Sequence, residues 1–258
     1  MAATVFYVDT VPEPGAVAVL DGAEGRHAAT VRRIRAGERL VVSDGAGVMA
    51  KATVVAAAKD RLELSIGTKW IAQQPVPRVT LVQALPKSDR AELAVELATE
   101  AGIDVIVPWA AARCVSRWDG TKAAKGVAKW CAAARAAARQ SRRPYVPEVT
   151  ELASTATVLE LVTQCVERGG IVVALHESAS QAFSALPFGD AAEVMLVVGP
   201  EGGLDDGELT RLQSVGARVA LLGPTVLRTS TAAAVALGAL GALTSRWSLG
   251  PAATHEDP

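Results

Sequence analysis

Two glycine-bearing stretches, each directly after a short apolar run, constrain the fold of this chain more than any other feature. The apolar run 194–198 ends in Gly199-Pro-Glu-Gly-Gly203. A second predicted strand, 218–222, is followed by Gly223-Pro224 and an alanine-rich segment. Short apolar runs bounded by glycine and proline are typical of buried strands, and glycines at strand ends let a backbone approach a ligand. The pattern therefore predicts an open α/β sheet with a binding crevice where these strands end.

The second stretch also has the chemistry of a ligand site. A helix beginning near residue 229 would direct its free N–H groups and the guanidinium of Arg228 at the crevice. Thr229, Ser230 or Thr231 could cap that helix.

The segments VVGPEGGL (197–204) and LLGPTVLRTSTA (221–232) resemble the SPOUT class of S-adenosylmethionine-dependent RNA methyltransferases, in particular the bacterial 16S ribosomal RNA uracil-N3 methyltransferases. The resemblance runs from about residue 6 to residue 246. It implies a mostly parallel sheet with a C-terminal trefoil knot, a cofactor held among the knot loops, and a homodimer paired around the site. Ser230 stands where the family usually has an acidic residue, so a role of that carboxylate is not carried over.

The cofactor is expected among three strand-end loops. The expected cofactor-binding residues are Leu175, His176, Glu177, Gly199, Pro200, Glu201, Gly202, Leu222, Gly223, Leu227, Arg228 and Thr229. We assign Arg228 the stabilisation of charge that develops on the target base; a structural role or a contact with RNA phosphate is the alternative. A structural His176, beside a backbone that binds the ligand, is likewise an alternative. No general base is indicated, and water could serve.

Composition bounds the class of protein. The 258 residues, half of them apolar and 21% charged, suffice for one large domain or two modest ones. The three cysteines are widely spaced and odd in number, which excludes a disulfide framework and a zinc signature and fits a reducing cytoplasm. The N-terminus has no signal-peptide pattern, and the apolar run 232–243 is too short to span a bilayer. We therefore expect a soluble, cytoplasmic protein without a metal site.

The predicted elements change character along the chain. Residues 1–72 are β-rich, and the resemblance implies a PUA-like β-barrel there; 73–78 is a linker, 79–250 the SPOUT methyltransferase domain and 251–258 a disordered tail. The glycines of Gly45-Ala-Gly47 mark a hairpin, because β-branched residues rather than a helix follow them. A helix is predicted from Pro86 to about residue 101, capped by Ser88 or Asp89.

Charge is segregated within a chain whose net charge is −1. The segment 121–143 is strongly basic, and a helix there would align Arg135, Arg139 and Arg142 on one side. A second basic segment, 22–37, resembles the RNA-binding domain of the family, and Lys87 lies in another family-like motif. The predicted RNA-binding residues are Arg26, His27, Arg32, Arg33, Arg35, Lys87, Arg135, Arg139, Arg142 and Arg143. The alternatives are solvated helix faces for the basic segments and a plain helix start at Lys87.

These features predict an enzyme that transfers a methyl group from S-adenosylmethionine to N3 of a uridine in 16S ribosomal RNA, within an assembled small subunit. The uracil N3 becomes a good nucleophile only after its proton leaves, so the site must favour the anion. Two alternatives remain open at this point. One is a SPOUT enzyme with another target, such as transfer-RNA ribose, and the other is a non-catalytic RNA-binding factor of ribosome assembly.

Overall fold

The computed structural model describes residues 4–248 and residue 250, in two compact units. The N-terminal unit contains residues 4–74 and also 138–146, while residues 75–137 and 147–248 form the second unit. The sequence-based division did not assign 138–146 to the first unit. Hydrogen bonds explain the assignment: Tyr145 Oη donates to Ala72 O at 2.8 Å, and Tyr7 Oη donates to Arg143 O at 2.8 Å. The predicted tail 251–258 lies outside the described residues.

A five-stranded sheet forms the centre of the N-terminal unit. Its strands are β1 (Val5–Tyr7), β2 (Val17–Leu20), β3 (Arg39–Ser43), β4 (Val48–Ala58) and β5 (Arg61–Ile71). They lie in the order β1-β3-β4-β5-β2, and only the β1–β3 pair is parallel. The pair β3–β4 is the predicted hairpin, with Gly45 and Gly47 both at positive φ. The four-residue strand β2 was not predicted.

The basic segment of this unit lies between β2 and β3. A short helix α1 (Gly22–Arg26) continues into a π-helical turn, His27–Val31. Arg33 follows with φ 55°, a left-handed conformation that is uncommon outside glycine.

An all-parallel sheet forms the centre of the second unit, as the alternating pattern predicted. Its strands are β6 (Arg78–Ala84), β7 (Val105–Trp109), β8 (Glu148–Val149), β9 (Ile171–Leu175), β10 (Glu193–Val198) and β11 (Arg218–Ala220). Their order is β11-β9-β10-β6-β7-β8. The central strands are buried apolar runs, which is typical of a sheet covered on both faces.

Helices connect these strands. They are α2 (Ala91–Glu100), α3 (Thr121–Gln140), α4 (Thr155–Glu167), α5 (Asp206–Ser214) and α6 (Thr229–Leu243), with 3-10 turns at Phe183–Ala185 and Ser245–Trp247. α6 packs against α2 and β10, and its buried residues are mostly alanine and leucine. Within the described range, no helix has the length and hydropathy needed to cross a membrane.

Two predicted helix starts were wrong in detail. α2 begins at Ala91 with Arg90 as its N-cap and no side-chain cap, so neither Ser88 nor Asp89 caps it. α6 has Arg228 as its N-cap, again without a side-chain cap; the hydroxyl of Thr231 instead donates to Arg228 O at 3.1 Å. Before α2 the chain forms a turn in which Arg90 N–H donates to Lys87 O at 2.8 Å, whereas Thr229, Ser230 and Thr231 lie within α6.

The predicted row of three arginines on one helix was also wrong for its last member, Arg142. α3 ends at Gln140, and Arg142 has φ 59°. Arg142 therefore does not continue the face formed by Arg135 and Arg139. The segment 141–146 leaves the helix because it pairs with the N-terminal unit, where Val146 N–H donates to Gly45 O at 2.9 Å.

Candidate functional site

A cavity of about 450 Å³ opens at the carboxyl ends of three neighbouring strands, β11, β9 and β10. The connection from β9 leads to β10 on one side of it, and the connection from β10 leads back past β9 to β11 on the other side. Such a reversal of strand order is where open α/β sheets bind ligands. The cavity is lined by Leu175, His176, Glu177, Val198, Gly199, Pro200, Glu201, Gly202, Gly203, Leu204, Leu221, Leu222, Thr225, Val226, Leu227, Arg228, Thr229 and Ala232.

The structure brings together all but one of the residues expected to bind a cofactor. Gly223 is absent from the lining; it turns the chain at φ 79°, and a Cβ there would meet nothing within 4 Å. This difference arises because β11 ends at Ala220, two residues earlier than predicted. Three further lining residues, Gly203, Thr225 and Val226, lie within the predicted loops 199–203 and 222–229. The lining residues outside the predicted loops adjoin them, so a wider window around each loop would have found them. They are Val198, Leu204, Leu221 and Ala232.

The glycines of the loop after β10 are required by protein neighbours. A Cβ at Gly199 would lie 3.0 Å from Leu204 Cγ, and a Cβ at Gly202 would lie 3.3 Å from Arg113 Cβ. Gly203 has φ 73°, which glycine adopts at little cost. Gly202 also lines the cavity, so its close approach to a ligand stays a prediction beside its close packing against Arg113.

Arg113 holds this loop from the end of β7. Its Nη1 donates to Gly202 O at 3.4 Å and to Leu204 O at 3.1 Å, and its Nη2 lies 3.6 Å from the carboxylate of Asp205. The sequence analysis missed Arg113, although its position soon after a predicted strand was an available signal. Arg113 thus fixes the direction of two carbonyl groups in a loop that lines the cavity.

The residue before Arg113 is held in turn by a buried carboxylate. Glu208 is 1% exposed, and its Oε1 accepts the N–H of Ala112 and the hydroxyl of Thr155, both at 2.9 Å. Glu208 lies in the first turn of α5, where the helix N-terminus favours a negative charge. The Thr155 hydroxyl also accepts Trp109 Nε1–H at 3.2 Å. The network therefore joins α5, α4 and the end of β7 behind the cavity loop.

A second connection joins the cavity loop to the end of β6. Glu201 Oε1 accepts the backbone N–H of Lys87 at 3.0 Å. The preceding carbonyl, Pro86 O, accepts the hydroxyl of Ser116 at 2.7 Å. The loops after β6, β7 and β10 are thus linked, and the side chain of Lys87 is exposed beside them.

The start of α6 gives one wall of the cavity a positive potential. Arg228 is exposed and lines the cavity, and the first N–H groups of α6 point out of the same end. Ser230 is 2% exposed and is not a lining residue. Among the described residues its hydroxyl has no hydrogen-bond partner. This wall suits an anionic group of a ligand.

Comparison with known proteins identifies the family. Residues 72–241 match the family model described as an RNA methyltransferase domain, and residues 20–67 match the model of an RNA methyltransferase PUA domain. A ribosomal RNA small subunit methyltransferase E of Mycobacterium tuberculosis is 53% identical over 96% of this chain and 94% of its own length. The protein of that name from Bacillus subtilis is 33% identical over 86% of this chain and 88% of its own. This chain belongs to the RNA methyltransferase family.

Solved structures of similar proteins have the same fold. A ribosomal RNA small subunit methyltransferase E from Neisseria gonorrhoeae, solved bound to S-adenosylmethionine, has a TM-score of 0.84 at 25% identity and covers 94% of this chain and 98% of its own. A Legionella pneumophila protein, solved in complex with the same cofactor, has a TM-score of 0.82 at 27% identity, covering 95% and 99%.

In this RNA methyltransferase, most of the predicted RNA-binding residues lie in the unit that contains the PUA match. The described structure places Arg26, His27, Arg32, Arg33, Arg35, Arg139, Arg142 and Arg143 there, and Lys87 and Arg135 in the second unit. The two basic segments meet through Glu24, whose carboxylate lies 2.7 Å from Arg139 Nη1. Residues 139–143 are thereby brought next to the segment 22–35, although they follow it by more than a hundred positions.

The segments 22–35 and 139–143 together form a basic cluster, and His27 lies within it. Burial, and after it the positive charge of Arg139, lowers the pKa of His27 below its ordinary value. His27 also packs against Phe6, with 6.1 Å between ring centroids. It is therefore held partly inside the cluster, whereas Arg26, Arg32, Arg33 and Arg35 are exposed and free to reach a phosphate backbone.

Proposed function

We propose that this protein uses S-adenosylmethionine to methylate N3 of a uridine in 16S ribosomal RNA. The observation that supports this best is the cavity at the reversal of strand order, enclosed by the loops after β9, β10 and β11. Relatives named ribosomal RNA small subunit methyltransferase E, one of them 53% identical, support the choice of RNA.

The residues around the cavity fit S-adenosylmethionine. The volume is that of an ordinary small-molecule site. The N-terminus of α6 suits the carboxylate of the cofactor, and the carboxylates of Glu177 and Glu201 suit its ammonium group. The side chains of Leu222 and Leu227 offer an apolar surface to the adenine ring.

When bound, the cofactor supplies a methyl group activated by a sulfonium cation. The cavity loops hold the target N3 in line with that methyl group. Arg228 donates hydrogen bonds to the uracil oxygens, over which the negative charge spreads once N3 loses its proton to water. With N3 deprotonated, the bound cofactor would supply its methyl group to the N3 lone pair and would leave as the neutral thioether.

RNA contact is divided between the two units. The cluster around Arg26, Arg33 and Arg142 and the exposed side chains of Lys87 and Arg135 contact phosphates. The substrate is the assembled small subunit, so the protein acts in the cytoplasm.

Further proposals concern the path of the chain, the closure of the N-terminal sheet and the oligomeric state. The C-terminal segment from β11 through α6 forms a trefoil knot, and the N-terminal sheet closes as a PUA-like barrel. The chain forms a homodimer through α6, whose outer face exposes Val235, Leu243 and the adjoining Trp247.

Methyl transfer to RNA from a strain lacking this protein tests the function. We expect 3-methyluridine in 16S ribosomal RNA, formed faster on small subunits than on naked RNA. The variant Arg228→Ala should lower kcat by roughly 100-fold, and Arg218→Ala, at the exposed start of β11, is the control. Methylated ribose in transfer RNA would instead support the first alternative, and RNA binding without methyl transfer would support an assembly factor.

A further inference from the structure

His176 has one hydrogen-bonding group left for a ligand. Its backbone N–H donates to Ala220 O at 3.1 Å, and its carbonyl accepts the N–H of Ala179 at 3.3 Å. Its ring nitrogen Nδ1 accepts the backbone N–H of Ser178 at 3.2 Å, with Ser178 Oγ 2.8 Å away. Among the described residues, Nε2 has no hydrogen-bond partner, although His176 lines the cavity. Contact with a ligand therefore falls to Nε2 rather than to the backbone.

The N–H of Ser178 decides which ring nitrogen holds the proton. A backbone N–H can only donate, so Nδ1 must present a lone pair to it. A proton on Nδ1 would face that N–H and break the hydrogen bond. A neutral imidazole with a bare Nδ1 holds its proton on Nε2. The ring thus offers the cavity a donor and no acceptor.

We propose that His176 is a neutral Nε2–H donor to an oxygen of the bound cofactor, and that it is not the base that removes the N3 proton. The inference rests on the proposed function, because it requires the cavity to bind S-adenosylmethionine. Nε2 already holds a proton and Nδ1 is covered by Ser178, so neither nitrogen can accept one from uracil. Two oxygen acceptors of the cofactor suit this donor, a ribose hydroxyl and the carboxylate.

Nitrogen NMR of the histidine rings tests the protonation state directly. The chain has three histidines, so the signals missing from His176→Gln assign His176 in the full-length protein. At about pH 8, where an ordinary histidine is neutral, we expect a bare Nδ1 and a protonated Nε2. A protonated Nδ1 would overturn the proposal.

Calorimetry with S-adenosylmethionine tests the donor role. His176→Leu, which lacks a donor, should bind the cofactor about tenfold more weakly. His176→Gln, which keeps a side-chain N–H, should stay within about threefold of the unsubstituted protein. An unchanged affinity in His176→Leu, or an equal loss in both variants, would contradict the donor role.

The analogue 5′-methylthioadenosine locates the acceptor, because it lacks the amino-acid part of the cofactor. An equal loss for both ligands in His176→Leu places the acceptor on the ribose, and a loss confined to S-adenosylmethionine places it on the carboxylate.

Turnover tests the exclusion of a base. At saturating cofactor, the pH profile of kcat in His176→Gln should keep the shape seen in the unsubstituted protein, and loss of its rising limb with normal cofactor affinity would show that His176 is the base. Failure of the unsubstituted protein to bind S-adenosylmethionine would instead refute the proposed function. The NMR measurement reports the protonation state of His176 whether or not the protein binds the cofactor or methylates RNA.

Discussion

At the scale of single residues, Arg113 shows how a side chain outside the cavity shapes it. Its guanidinium holds the carbonyls of Gly202 and Leu204. With these carbonyls engaged, the loop has a defined conformation before any ligand arrives, and preorganisation of this kind increases affinity.

Arg113→Ala should therefore weaken S-adenosylmethionine binding by about tenfold, the effect of losing charge-assisted hydrogen bonds. The control is Arg117→Ala in the same loop, because among the described residues Arg117 donates a single hydrogen bond, to Ala112 O at 3.4 Å. Titration calorimetry measures both. Equal affinities in the two variants would contradict a role of Arg113 in holding the loop.

Arg142 is a second informative residue, because it retains a side chain at φ 59° where glycine would be less strained. A left-handed conformation costs an ordinary residue about 1 kcal/mol. Since Arg142 is exposed and lies in the basic cluster, we attribute its presence to RNA contact.

Arg142→Gly should leave the free energy of unfolding unchanged or raise it by up to about 1 kcal/mol. It should also make the dependence of log RNA affinity on log salt concentration less steep, by roughly one unit of slope. Arg142→Ala is the matched variant, since it loses the same charge but keeps the strain. Urea unfolding and fluorescence anisotropy with a ribosomal RNA fragment measure the two effects, and an unchanged slope would rule out a phosphate contact.

At the scale of elements, α6 depends on small residues for its packing. A Cβ at Gly241 would lie 2.2 Å from Trp247 Cδ2, whereas a Cβ at Gly238 would lie at an ordinary 3.5 Å from the same ring. The two glycines are three residues apart on one helix, so they differ in packing more than in helical environment.

Gly241→Ala should consequently destabilise the protein by about 1–3 kcal/mol through overpacking. Gly238→Ala should stabilise it by up to about 1 kcal/mol, because alanine favours a helix more than glycine does. Urea unfolding of both variants measures the difference. A stabilising Gly241→Ala would mean that Trp247 does not pack on α6.

At the scale of the whole molecule, the exposed apolar residues of α6 are the surface on which the proposed dimer depends. Val235 is 45% exposed and Leu243 40% exposed, on a helix whose other faces are buried. Continuous apolar exposure of this kind is typical of an interface.

Light scattering at micromolar concentration should give twice the mass of one chain, and Val235→Arg should reduce it to a single chain. Val55→Arg is the control, since Val55 is similarly exposed, at 51%, but lies in β4. A monomeric unsubstituted protein would refute the dimer.

Five of the six strands of the second unit, all but β8, and the position of its cavity could be predicted from the sequence. Buried parallel strands need continuous apolar runs, and the loops that follow them need glycine, so the local pattern predicted both β10 and its loop. The predicted cofactor residues from Leu175 to Thr229, all but Gly223, line that cavity, because carboxyl ends of parallel strands meet at one edge. The charge segregation was likewise visible in the sequence.

Which residues far apart in the sequence form hydrogen bonds with each other depends on the tertiary structure. Hydrophobic periodicity predicts which residues are buried but does not identify the partner of a hydrogen bond. It therefore could not predict that 138–146 pairs with the N-terminal unit, or that Arg113 donates to Gly202 O. The end of α3 before Arg142 has the same cause, since contacts with Gly45 compete with helix propensity. The contact of Ser178 N–H and Oγ with Nδ1 of His176 likewise depends on the fold of the loop after β9.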